Sequence, residues 1–127
     1  MKWLAVAAFL LAGLINVFPL IGVLGAAQLE SLYGMDFEGA DLQLLMRHRA
    51  VLFGLVGGLL LCAAFKPRLR PVASVLGLLS MASFMLLTWP LQEHGVALQR
   101  VFWADGVGCV ALVIGVLASR RAGFTAA

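Results

Sequence analysis

The sequence predicts an all-α fold, a four-helix transmembrane bundle with both termini on the cytoplasmic side, and three observations carry that prediction. Hydrophobic residues make up 63% of the 127 positions and charged residues only 12%, with a mean hydropathy of +1.04; a globular domain carries roughly a quarter charged residues. A helical crossing of a bilayer takes about 20 apolar residues, so four crossings with short connections use nearly all of residues 1–127 as one domain. Lys2, the Lys66/Arg68/Arg70 group and Arg120/Arg121 supply six of the nine basic residues. An even number of crossings puts all three groups on one face, which the positive-inside bias makes cytoplasmic.

Helix one is expected from Trp3 to Ala27. Met1-Lys2, the apolar run and the small residues Gly25, Ala26 and Ala27 look like a secretory signal, but the run is too long for a signal core, so it is expected to stay as a crossing. Pro19 removes the hydrogen bond to Ile15 and predicts a kink near Asn16. The longest connection follows, and Gln28 to Gly34 reads as a short amphipathic piece ended by Gly34, a lid or interfacial segment. Helix two runs from Leu42 to Phe65 with Asp41 at its N-cap. Helix three runs from Pro71 to Leu91, its proline at the first position where a missing N–H costs nothing. Helix four runs from Gly95 to Ala118. Glu30, Asp36, Glu38 and Asp41, with Glu93 and His94 in the second outer turn, make the outer face acidic. Trp3 at one interface and Trp89 and Trp103 at the other suit an aromatic belt.

Several function classes fall away on composition. The pI near 9.4 could suggest nucleic acid, but the basic residues sit at helix ends and form no phosphate-tracking stripe. Cys62 and Cys109 lie in apolar stretches with no CxxC or metal-ligand spacing, so neither a redox motif, a metal site nor a cofactor is expected. The Arg-His-Arg and Arg-x4-Asp patterns do not correspond, which argues against a duplicated helix pair.

The residues that need a reason are the ionisable ones in apolar surroundings: Arg47, His48 and Arg49 at the head of helix two, Arg100 and Asp105 in helix four. Each costs roughly 2.5–3.5 kcal/mol in hydrocarbon on insertion scales. At about 1.5 Å of rise per residue, the two arginines lie roughly 7–11 Å below the outer start of helix two, Arg100 and Asp105 roughly 7–15 Å below that of helix four, and Asn16 at a similar outer-half level. Helical periodicity then sorts the faces. Arg47 aligns with Ala50, Gly54, Gly58 and Cys62, a small-residue stripe with a GxxxG pattern, and is expected to face protein. Arg49, about 200° away, lies beside Phe53, Val56 and Leu60. Asn16 shares a face with Ala8 and Ala12, Ser80 and Ser83 with Ala73 and Gly77, and Asp105 with Gly108, Cys109 and Leu112.

Arg100 is about 140° from Asp105 on the wheel, so Asp105 is expected to meet Arg47 or Arg49 across the bundle. The expected ligand-binding set is therefore Arg47, Asp105, Arg49, Asn16, Arg100, His48 and Ser83. Its excess of guanidinium suits the head of an anionic lipid or another anion. Blander roles stand beside this one: an Arg47–Asp105 pair that only locks helix register, snorkelling of Arg100 and Arg49 to headgroups, and a hydrogen-bonded spectator role for His48.

Leu32-Tyr33-Gly34, Leu45-Met46-Arg47-His48-Arg49-Ala50 and Arg100-Val101 to Asp105 together resemble an uncharacterised family of small bacterial four-helix inner-membrane proteins allied to the DoxX-like group. The resemblance covers nearly the whole chain and implies an inner-membrane four-helix bundle; DoxX itself is linked to quinone-coupled chemistry, for which this chain has no cysteine or cofactor motif. Some look-alikes bear the name phosphopantetheine adenylyltransferase, an activity that needs a soluble nucleotide pocket with a histidine-bearing phosphate loop. Three roles follow from the sequence: a binding or accessory protein holding a lipid, quinone or similar amphiphile by its head; a small-anion or proton-coupled transporter or channel acting as a homodimer; and a structural subunit or assembly factor of a larger membrane complex. An enzyme is not expected, since Asp105 with His48 is the only acid/base pair on offer.

Overall fold

A computed structural model describes residues 1–90 and 95–125, with side chains as far as Gly123. Leu91, at the expected end of helix three, and Glu93 and His94 of the second outer turn lie outside the described residues. The elements are α1 (Lys2–Val17), a 3-10 segment (Phe18–Leu24), α2 (Ala26–Tyr33), α3 (Ala40–Phe65), a 3-10 turn (Pro67–Leu69), α4 (Arg70–Thr88) and α5 (Val96–Thr125). Among the described residues there is no strand. Four stretches, Lys2–Leu24, Ala40–Phe65, Pro67–Thr88 and Val96–Gly123, are long and apolar enough to cross a membrane. The chain is an all-helical membrane protein.

The first crossing is not one continuous helix. The α-helix stops at Val17 and tightens into the 3-10 segment through Pro19, because proline has no N–H and its ring collides with the carbonyl four residues back. Gly25 then breaks the chain at φ 144°, ψ −170°, a region open only to glycine. The short amphipathic piece follows as α2, closed by Gly34 at φ 66° with its N–H donating to the Glu30 carbonyl at 2.7 Å. The N-cap of α3 is Gly39 and not Asp41, which stands in the first turn, where its charge still faces the positive end of the helix dipole. Arg70 precedes Pro71 as the first residue of α4, and α5 continues past Ala118 so that Arg120 and Arg121 are helical.

The four long helices form a ring: α1 packs on α3 and α5, and α4 packs on the same two from the opposite corner. Phe9, Ala12, Leu60, Ala63, Met81 and Leu112 fill the centre. The tightest approach joins α1 to α3 at Gly57, where a Cβ would stand 2.7 Å from the Val17 backbone nitrogen and 2.9 Å from the Gly13 carbonyl. Gly58, half of the expected GxxxG pattern, would place a Cβ with nothing within 4 Å. The packed stripe on α3 is instead Ala50, Gly57 and Ala64, all buried and spaced by seven, the repeat that keeps one seam against a neighbouring helix.

The two ends of the ring differ in chemistry. At one end the start of α1, the α3–α4 turn and the close of α5 meet around Arg70, which is buried. Its guanidinium donates from Nε to the Ala63 carbonyl at 3.1 Å, from Nη2 to Ala64 at 2.9 Å and from Nη1 to Ser119 Oγ at 3.0 Å, and stands 5.5 Å from the Phe9 ring centre. Those two carbonyls are among the last of α3, which no intrahelical N–H can satisfy. At the other end α2 lies across the starts of α3 and α5, with Leu29, Tyr33 and Phe37 packed on Met46, Leu98 and Val101. Glu30, Asp36, Glu38 and Asp41 are exposed there.

Candidate functional site

Beneath α2, the residue that turns into the bundle is Arg49. It sits on the same α3 face as Phe53, one turn on, and meets two further aromatics, Tyr33 from the end of α2 and Phe84 from α4. The guanidinium carbon lies 5.5 Å from the Tyr33 ring centre, 4.8 Å from Phe53 and 5.6 Å from Phe84. Each face is worth about 0.5–2 kcal/mol to a cation, the more so out of water. The cage stabilises the charge yet leaves the donors unused: among the described residues the Arg49 guanidinium makes no hydrogen bond and no ion pair.

Asp105, on α5, is the matching acid. It is 7% exposed, and its buried Oδ2 has no hydrogen-bond partner among the described residues. Arg49 acts on Asp105 and on Tyr33 through space, without an ion-pair contact among the described residues. A buried oxygen left in this state costs on the order of 1–3 kcal/mol. Tyr33, outside the crossing helices, feels both neighbours: burial raises its phenol pKa above the ordinary value, Arg49 partly offsets the rise and Asp105 adds to it.

The cage opens sideways into a cavity of about 260 Å³ between α3 and α4, lined by Arg49, Phe53, Val56, Ser80, Ser83 and Phe84. Leu52 and Leu87, both exposed, form its apolar rim. Asn16, buried, donates from Nδ2 to the Ala12 carbonyl at 3.0 Å and accepts from Ser80 Oγ at 3.3 Å, a link between the diagonal helices α1 and α4. Ser83 Oγ donates to the Ser80 carbonyl at 3.1 Å and is exposed on the cavity wall.

Three of the seven expected site residues lie elsewhere. Arg47, expected to face protein and pair with Asp105, is exposed, and its Nε donates to the Val23 carbonyl at 2.8 Å. The break at Gly25 leaves that carbonyl without a helical donor, and Arg47 fastens the 3-10 segment to α3. His48 and Arg100 are exposed as well. Arg49 and Ser83 line the cavity and Asn16 reaches it through Ser80, while Asp105, on α5, is not on its lining and is coupled to Arg49 only through space.

Sequence reasoning missed Tyr33 and Phe84 as walls of the site. Phe53 could have signalled the cage, since a residue four positions from Arg49 shares its face. Tyr33 and Phe84 come from other elements and leave no such periodic mark. The buried role of Arg70 was also hidden, because in sequence it is one more basic residue beside a proline. Comparison of the chain with protein-family models, with curated proteins and with solved structures finds no match in any of the three.

Proposed function

We propose that this protein is an accessory or binding protein of the bacterial inner membrane, both termini cytoplasmic, that holds the polar head of an anionic lipid, quinone or similar amphiphile in the outer half of the bilayer, between Arg49 and Asp105. The observation that carries the proposal is a pair of electrostatically coupled groups that are unmatched among the described residues: a guanidinium with no hydrogen-bond acceptor and a buried carboxyl oxygen with no partner. A head group that accepts from Arg49 and offers a hydroxyl to Asp105 satisfies both, and charge-assisted bonds of this kind are worth about 1.5–3 kcal/mol each. The sideways opening between α3 and α4 lets the tail of such a molecule remain in lipid while only the head enters. The basic end, with Lys2, Lys66, Arg68, Arg70, Arg120 and Arg121, supports the cytoplasmic assignment of the termini.

Native mass spectrometry of detergent-extracted protein tests this directly. The wild type retains a single amphiphile, Arg49→Ala loses it, and Arg47→Ala keeps it. A wild type that carries nothing, or an Arg49→Ala variant that retains the same adduct, overturns the proposal.

A further inference from the structure

The basic end carries a second arrangement that the outer-half site does not use. Pro67, Arg70 and Ser119 form a wall with a cavity on either side. One cavity, of about 490 Å³, lies between α4 and α5, with Val75, Leu78 and Val116 along its depth and Arg120 on its lining. The other, of about 770 Å³, lies between the start of α1, the end of α3 and the close of α5, with Trp3, Val6 and Phe65 along it and Lys2 on its lining. Arg120 and Lys2 are both exposed. Each cavity thus pairs an exposed cationic side chain with an apolar trough, the Lys2 ammonium standing 5.8 Å from the Trp3 ring centre.

No acidic side chain belongs to the segments of this end: the acidic residues of the chain are Glu30, Asp36, Glu38, Asp41, Glu93 and Asp105. Arg70 uses Nε, Nη1 and Nη2 on Ala63, Ser119 and Ala64, so it contributes a fixed positive field to both cavities, while Arg120 and Lys2 donate to no acceptor among the described residues. Basic clefts between helices on the cytoplasmic side attract anionic headgroups, at an electrostatic gain of about fivefold in affinity per Lys or Arg.

We infer that the two cavities together form a site for a phospholipid with two phosphodiester groups, one phosphate against Arg120 and the other against Lys2, with acyl chains along Val75, Leu78 and Val116 on one side and Trp3 and Val6 on the other. Two cationic troughs separated by a single shared wall match a lipid whose two phosphates are joined by a short bridge; a lipid with one phosphate fills only one of them.

The full-length, delipidated protein in detergent is titrated with cardiolipin, phosphatidylglycerol and phosphatidylcholine at equal phosphate, followed by native mass spectrometry and thermal melting. Cardiolipin binds one per chain and raises the melting temperature more than phosphatidylglycerol, and phosphatidylcholine has no effect. Arg120→Gln and Lys2→Gln each weaken cardiolipin binding about fivefold, whereas Arg100→Gln, which lines neither cavity, leaves it unchanged. Equal effects of cardiolipin and phosphatidylglycerol, or equal weakening by Arg100→Gln, overturn the assignment.

Discussion

Gly57 and Gly58 are chemically identical neighbours in the apolar middle of α3, and the packing predicts opposite outcomes for the same substitution. A Cβ at Gly57 would lie 2.5 Å from Val17 Cγ2, 2.7 Å from the Val17 nitrogen and 2.9 Å from the Gly13 carbonyl. Two of these are backbone atoms, so no rotamer change relieves them and α1 must move away from α3. Overpacking that forces such a shift costs about 1–3 kcal/mol. A Cβ at Gly58 meets nothing within 4 Å, so Gly58→Ala is neutral or gains up to about 1 kcal/mol from helix propensity. Intrinsic fluorescence of the three tryptophans during thermal unfolding in one detergent reads both variants against the wild type. Gly57→Ala lowers the midpoint and Gly58→Ala does not. Equal midpoints for the two variants would falsify the backbone contact between α1 and α3.

Three further outcomes follow from particular contacts. Arg70→Ala leaves the Ala63 and Ala64 carbonyls and Ser119 Oγ without their donors and costs about 2–4 kcal/mol, given that bonds of this kind inside membrane proteins run weaker than in water-soluble cores; a fall in melting midpoint no larger than that of Ser119→Ala contradicts it. Asp105→Leu removes an unpartnered buried oxygen and raises stability by about 1–3 kcal/mol while abolishing amphiphile retention, and a destabilised variant shows that the carboxyl is satisfied in the folded protein. Tyr33 is the single tyrosine, so phenolate absorbance reports it alone. Its folded pKa is raised chiefly by burial, so its contribution to stability is complete below about pH 10 and is lost as pH rises through the folded value; Tyr33→Phe abolishes that alkaline loss, and a phenol titrating below pH 10 in the folded protein refutes the burial.

The four apolar stretches and the gathering of basic groups at one end were legible in the sequence because each depends on quantities that a linear chain displays: the length of an apolar run, the position of a charge beside it and the parity of the helices. Asn16, Ser80 and Asp105 were legible too, since each sits on a helix face shared with small residues. Pro19 and Gly34 announced a break and a cap through their own backbone chemistry, although the full change from α-helix to 3-10 segment to α2 required Gly25 in a conformation that composition does not reveal.

Which arginine enters the bundle was decided only by tertiary structure. In water, the hydrophobic face of a helix marks its buried side; in lipid the outside is as apolar as the core, so α3 presents apolar residues all round and periodicity cannot choose between the Arg47 and Arg49 faces. The small-residue stripe through Gly54 and Gly58 favoured Arg47, yet the close approach to α1 falls at Gly57. That shift turns Arg49 toward Phe84 and Tyr33 and leaves Arg47 to the Val23 carbonyl. Composition and length by themselves determined an all-helical chain with four helices long and apolar enough to cross a membrane, and with charges set within them. Only the packing of backbone on backbone determined which of those charges share an interior, because that contact depends on helix rotation, and no apolar pattern in a lipid-facing helix records it.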